Sequence, residues 1–233
     1  MHKPMHSITK LNLRNLQAAY ITTASCIAAL ASNFIITAIA FRGVDLSTNT
    51  GLSIGWALLL LPILAGILVA SRNFRRIINL GGKRESFFRG CLLTYALLAC
   101  AASLLGVIIY YAIDRPYIAY GRLGGLITVP ELFGWNVNGF VSFFTQQCAF
   151  MFLSAVFAHT LAAAQGKWFG FAADAALIAV ISIFTPIAPL RAALAWFFHV
   201  ILFAPPPPQI AACLLLAIAL YALNKPILAR KAI

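Results

Sequence analysis

Residues 71–90 read SRNFRRIINLGGKRESFFRG, and they hold six of the chain's 17 lysines and arginines but only one of its five acids. Long apolar runs lie on either side. In a chain of 233 residues that is 62% hydrophobic and 9% charged, such a cluster marks a joint between segments that avoid water. A soluble domain is about half apolar and about a quarter charged, so the composition excludes a water-soluble fold. No polar block is long enough to fold by itself, and residues 1–233 are predicted to form a single transmembrane domain. The net charge of +12 does not point to nucleic acid, because the basic residues sit in short links and form no patch interleaved with aromatics for base stacking.

Crossing a bilayer as a helix takes about 20 apolar residues. Five stretches satisfy this: 19–41, 51–70, 91–113, 139–164 and 168–187. The first exceeds the ~7–15 residues of a signal-peptide core and is predicted to remain as a span. Beyond Arg191, AALAWFFHVILFA at 192–204 is too short to cross upright, and four prolines follow at 205–208. Proline lacks an N–H and its ring clashes with the preceding turn. The expectation is therefore a short re-entrant helix at 192–204 and a last span at 208–224. The fold class is all-α, a polytopic membrane protein of six transmembrane helices, with the joint at 71–90 between the second and the third.

Lysine and arginine are retained on the cytoplasmic side of a membrane. With both termini inside, that side holds 13 of the 17 basic residues, including Lys3, Lys10, Arg14, Lys167, Lys225, Arg230 and Lys231. Arg42, Arg115, Arg122 and Arg191 are left outside with Asp45, Asp114 and Glu131. The location implied is the cytoplasmic (inner) membrane. The longest outer link, 114–138, carries Tyr117, Tyr120, Phe133 and Trp135, a set suited to the lipid headgroup layer.

At about 100° per residue, residues 71–80 place Arg72, Arg75, Arg76 and Asn79 on one side and Phe74, Ile77 and Ile78 on the other. Gly81 and Gly82 then stop the helix, and Lys83, Arg84 and Arg89 lead into the third span. One reading is an in-plane helix with its arginines among anionic lipids. The order of elements gives another. A basic N-terminal segment, two spans, a helix-Gly-basic-Phe-Phe joint, three spans, a dipping helix and a last span resemble the permease subunit of ATP-binding-cassette exporters of the second type. GGKRESFF is similar to the Gly-x-x-Arg-x-x-Phe-Phe run of small bacterial permeases of this kind, at Gly81, Arg84, Phe87 and Phe88. The resemblance implies a cytoplasmic ATPase subunit, a second permease chain, identical or related, and a joint that docks on the ATPase. It assigns docking to Arg72, Arg75, Arg76, Lys83, Arg84 and Phe87, with Phe87 and Phe88 anchoring the joint to span three.

Motifs for other chemistry are sparse. A P-loop needs G-x-x-x-x-G-K-S/T, but Ile77 stands at the upstream glycine position and Arg84 follows Lys83. ATP hydrolysis is thus expected on a separate subunit, and no catalytic residue, cofactor or metal site is assigned. GLSIG at 51–55 matches G-x-S-x-G, yet an intramembrane serine protease needs a histidine beside Ser53. His159 falls near the opposite face and His199 in the dipping helix. Gly51 and Gly55 fit close helix packing instead. His2 and His6 have i, i+4 spacing on an unanchored terminus. Cys26, Cys91, Cys100, Cys148 and Cys213 lie in or beside apolar runs and read as packing residues. Asp174 is the one acid inside an apolar run, where it either couples protons or pairs with Lys167 or an inner arginine. Asn33, Gln146 and Gln147 are polar at membrane depth and must find partners, as interhelical hydrogen bonds or as a translocation surface. The leading functional reading is the exporter permease with an unidentified cargo. The alternatives are a non-transporting immunity or assembly protein, the protease, and a proton-coupled carrier.

Overall fold

The computed structural model describes residues 5–40, 46–120, 123–165 and 168–229. His2, Lys3, Arg42, Asp45, Arg122, Lys167, Arg230 and Lys231 lie outside the described residues. The chain opens with an amphipathic helix α1 (Met5–Arg14) and a long apolar helix α2 (Gln17–Ala40). A strand β1 (Leu46–Leu52) leads into α3, a continuous helical run over Ile54–Asn79. It comprises a 3-10 stretch (Ile54–Leu59), an α-helix (Leu60–Leu68), a π turn (Val69–Asn73) and a last α-helical piece (Phe74–Asn79). After a four-residue turn, α4 runs over residues 84–120 with a second π turn at Tyr110–Asp114. Strand β2 (Leu123–Ile127), a short α5 (Val129–Phe133), α6 (Gly139–Ala164), α7 (Trp168–Phe184), α8 (Ala188–Leu202) and α9 (Pro206–Ala229) complete the order.

Among the described residues five helices, α2, α3, α4, α6 and α9, are long and apolar enough to cross a membrane, and α7 with α8 makes a sixth if the pair counts as one span. The chain is an all-α, multi-pass membrane protein apart from one small ribbon. α6 begins and ends where the sequence places it. α7 stops earlier than residue 187: its 17 residues reach about 25 Å at 1.5 Å per residue, short of a ~30 Å hydrocarbon layer. Pro186 disfavours the helical conformation of Thr185 before it, and α8 departs at 117° to α7. Arg191 Nη1 donates to the Thr185 carbonyl at 3.3 Å and satisfies one of the acceptors that the break frees.

The prolines at 205–208 do not delay the last helix to 208. α9 starts at Pro206, because amides of a first helical turn have no acceptor within the helix and nothing is lost when they are absent. It also runs beyond Asn224 through Pro226. The ribbon is a departure from an all-α chain: β1 and β2 pair in parallel, with Thr50 opposite Gly125 and Leu52 opposite Ile127.

α3, α4, α6 and α9 pack around one core, with α1 laid against α4. A close approach is at Gly66, where a Cβ would stand 2.4 Å from the Ala155 carbonyl oxygen of α6. Gly106 of α4 likewise lies under the Gln147 amide. These two glycines let the helices meet; Gly51 and Gly55, expected in that role, make no such interhelical approach. A second cluster of Val107, Tyr110, Val129, Trp135 and Phe143 closes the end where the ribbon sits, the far end. Trp135, expected in a headgroup layer, is buried there and donates Nε1–H to the Leu202 carbonyl at 2.8 Å.

Candidate functional site

The end opposite the ribbon, the basic end, carries the 71–90 cluster. The sequence predicts a separate helix in this joint, but α3 continues to Asn79 and α4 takes over at Arg84, so only residues 80–83 are non-helical. The joint is the tip of a helical hairpin. Gly81 takes φ +78°, a left-handed conformation that glycine adopts without a Cβ penalty. Gly81 N–H bonds the Ile78 carbonyl and Gly82 N–H the Ile77 carbonyl, both at 2.9 Å, which satisfies the last carbonyls of α3. A Cβ on Gly82 would meet Ile77 Cγ2 at 2.6 Å, so the turn closes only with glycine there.

Burial follows the helical pattern. Arg72, Arg75, Arg76, Asn79 and Lys83 are exposed and Arg84 is half-buried, while Phe74 and Ile77 face the core. Phe87, expected among the docking contacts, is 0% exposed and stacks edge-on against Phe74 at 5.3 Å. It fastens the two arms of the hairpin and has no surface to offer a partner. Arg76 Nη1 donates to Asn15 Oδ1 beyond the end of α1 at 3.1 Å, so this arginine is committed to its own chain. Glu85 forms an exposed pair with Arg89 at 2.7 Å.

Behind the tip lies a polar layer that sequence reasoning missed. The π turn at Val69–Asn73 leaves Asn73 inward, 1% exposed, and its Nδ2 donates to Asn12 Oδ1 at 3.3 Å. Asn12 Nδ2 in turn donates to Thr94 Oγ1 at 3.4 Å and reaches Cys91 Sγ at 3.9 Å. Thr9 and Thr94 both donate to the Gly90 carbonyl. One side chain of α1 thereby joins both arms of the hairpin. Elsewhere in the bundle Tyr95 Oη and His159 Nδ1 share a 2.5 Å hydrogen bond, Tyr221 donates to the Phe88 carbonyl, and Asn224 Nδ2 donates to Thr160 Oγ1 at 2.8 Å. The available signal was the occurrence of Asn12, Asn73 and Thr94 beside apolar runs, since such groups must be satisfied from within the protein.

The remaining candidates separate. Gln146 and Gln147 are buried inside this chain's own bundle, at 2% and 1% exposure. Gln146 accepts from Ser142 at 3.1 Å and donates to the Ala204 carbonyl at 3.4 Å, and Gln147 packs on Gly106. Asn33 is exposed on α2. These three residues therefore form no common translocation surface within the chain, and the two glutamines join helices. Asp174 is held by the Gln165 amide, whose Nε2 lies 3.1 and 2.9 Å from its two oxygens.

Ser53 is a cap. Its Oγ accepts from Gly55 N–H at 2.9 Å at the start of α3 and donates to Asp114 Oδ2 at 2.5 Å. His159 is engaged with Tyr95, and His199 is exposed in the last turn of α8. All five cysteines are free, and Cys100 and Cys148 lie Sγ to Sγ at 3.5 Å. Comparison of the chain with protein-family models, with curated proteins and with solved structures finds no match.

Proposed function

We propose that this chain is the permease subunit of an ATP-driven exporter of the second ATP-binding-cassette type, working in the cytoplasmic membrane with a separate ATPase subunit and a second permease chain. In this reading the basic end and both termini face the cytoplasm, the hairpin tip is the coupling element, and the bent α7–α8 pair makes the fifth of six crossings, with α8 as the re-entrant element at the outer side. The observation that carries it is the exposure of Arg72, Arg75 and Lys83 at the shared end of α3 and α4. The 26 residues of α3 span about 39 Å, against ~30 Å of hydrocarbon, so its last turns and the tip project beyond the apolar layer. That length favours a docking tip over a helix lying in the membrane plane.

The packing supports a mechanical role. At the tip, Phe74 on Phe87 and the Asn12 clamp tie the arms of the hairpin together. At the far end, Ser53 on Asp114 ties the same two helices. A push from closing ATPase subunits would move α3 and α4 as a unit and reach the far end, where Trp135 and Gln146 hold the turn between α8 and α9. Hydrolysis takes place on the partner, and this chain supplies the moving path.

Purification of the tagged chain from its native membranes is expected to recover a cytoplasmic ATPase subunit with it. Arg72→Glu combined with Arg75→Glu is expected to abolish recovery of the ATPase while leaving the yield and gel-filtration profile of the permease unchanged. Undiminished recovery by the double variant, or no ATPase with the unaltered chain, refutes the reading.

A further inference from the structure

A groove of about 480 Å³ runs between α3, α6 and α7 on the side of the bundle, toward the basic end. α7 forms one side of it: Gly170 sits tight against the Ala164 carbonyl at the end of α6, where a Cβ would come within 2.5 Å, and Asp174 lies one turn further on. The walls are apolar, with Ile63 and Ile67 on α3 and Phe157 and Leu161 on α6. Ser154 at its edge directs its hydroxyl to the Phe150 carbonyl at 2.9 Å and so adds little polarity. Among the described residues one charged group lines the groove, Asp174.

The carboxylate is oriented but not neutralised by what surrounds it among the described residues. Gln165 bonds both of its oxygens with a single neutral amide, and no arginine, lysine or histidine there forms a salt bridge with it. The volume falls within the ~300–1,000 Å³ usual for small-molecule sites, which combine apolar walls with a few placed polar groups. Asp174 is half-buried at the edge of these walls, and a carboxylate there attracts a cation more strongly than one in bulk water does. An apolar body would fill the space beside Ile63, Ile67 and Phe157 while its positive centre met Asp174.

We infer that this groove is a binding site for organic cations with a bulky apolar body, entered from the side of the bundle. The inference deepens the exporter reading by naming a cargo class, and it rests on that reading only for transport, since binding needs no ATPase. Full-length protein in lipid nanodiscs is titrated with tetraphenylphosphonium by equilibrium dialysis, with empty nanodiscs subtracted and tetraphenylborate as a probe of the same shape and opposite charge. Saturable binding of the cation alone is expected. Asp174→Asn is expected to weaken it at least tenfold, and Ile67→Trp, at a position already 41% exposed, to weaken it comparably by filling the groove. No saturable binding, equal binding of the two ions, or an Asp174→Asn variant that binds like the unaltered chain each overturns the site. Because no nucleotide or ATPase is present, failure here leaves the co-purification test standing, and failure there leaves this one standing.

Discussion

Replacing Asn12 with alanine isolates the clamp between α1 and the hairpin. Asn12 is fully buried and joins Asn73 on α3 to Thr94 on α4 at 3.3 and 3.4 Å, distances at the long end for hydrogen bonds. Thr94 keeps its 2.7 Å bond to the Gly90 carbonyl when Asn12 is removed. The Asn73 amide loses its partner and stays buried. Two interhelical bonds at about 0.6 kcal/mol each, with part of the about 1–3 kcal/mol of an unsatisfied buried group, come to about 2 kcal/mol for undocking α1. At 1.4 kcal/mol per factor of ten that is about 30-fold in the local opening equilibrium. Hydrogen exchange of the amides in Met5–Arg14 reads this directly, with the amides of α6 as an internal reference. Exchange of α1 raised by one to two orders of magnitude, with α6 unchanged, is expected. A rise below about threefold would refute the clamp.

Gly66→Ala places a methyl 2.4 Å from the Ala155 carbonyl oxygen and is expected to cost about 1–3 kcal/mol, seen as a lower melting temperature of the purified protein, whereas Gly81→Ala, with no atom within 4 Å of the added carbon, costs less and acts only through its positive φ. Ser53→Ala removes the cap of α3 and the partner of Asp114 together and is expected to lower stability by about 1–2 kcal/mol in thermal unfolding. Copper phenanthroline is expected to join Cys100 to Cys148 within one chain, read as the loss of two hydrogens in the intact mass and blocked by Cys148→Ser; failure to cross-link would contradict the α4–α6 register.

The spans were legible because hydrocarbon demands long apolar runs, and Gly139–Ala164 needed no other information. The faces of residues 71–80 were legible for the same reason: Phe74 and Ile77 alternate with arginine at helical spacing, and burial follows that spacing. What was hidden depends on contacts distant in sequence. Phe87 reads as part of a surface motif until Phe74 is known to lie on it. Leu52 and Ile127 are unremarkable alone and become a ribbon only when the link before α3 meets the link after α4. Asn12 carries no local signal for Asn73 or Thr94, which lie 61 and 82 residues away. The prolines at 205–208 misled because a rule for helix interiors was applied to a helix start, where proline is tolerated.

The distribution of ties also decides which part of the bundle can give way. α3 and α4 are joined at the tip by Phe74 and Phe87, behind it through Asn12, and at the far end by Ser53 and Asp114. Gly66 presses α3 onto α6, and Thr160 links α6 to α9 through Asn224. Among the described residues α7 shows fewer such ties: Gly170 packs on the Ala164 carbonyl, Asp174 accepts from Gln165, and Ile178, Ile181 and Ile183 are 50% or more exposed. A four-helix core fastened at both ends resists internal sliding, because each slip would break several buried polar contacts together. In the proposed mechanism a displacement applied at the tip falls on the loosely held α7, since the end of α8 is tied through Leu202 to Trp135, and the 117° break at Thr185 and Pro186 lies between the two. The groove with Asp174 lies between the rigid part and the loose part, where such a motion changes its width most.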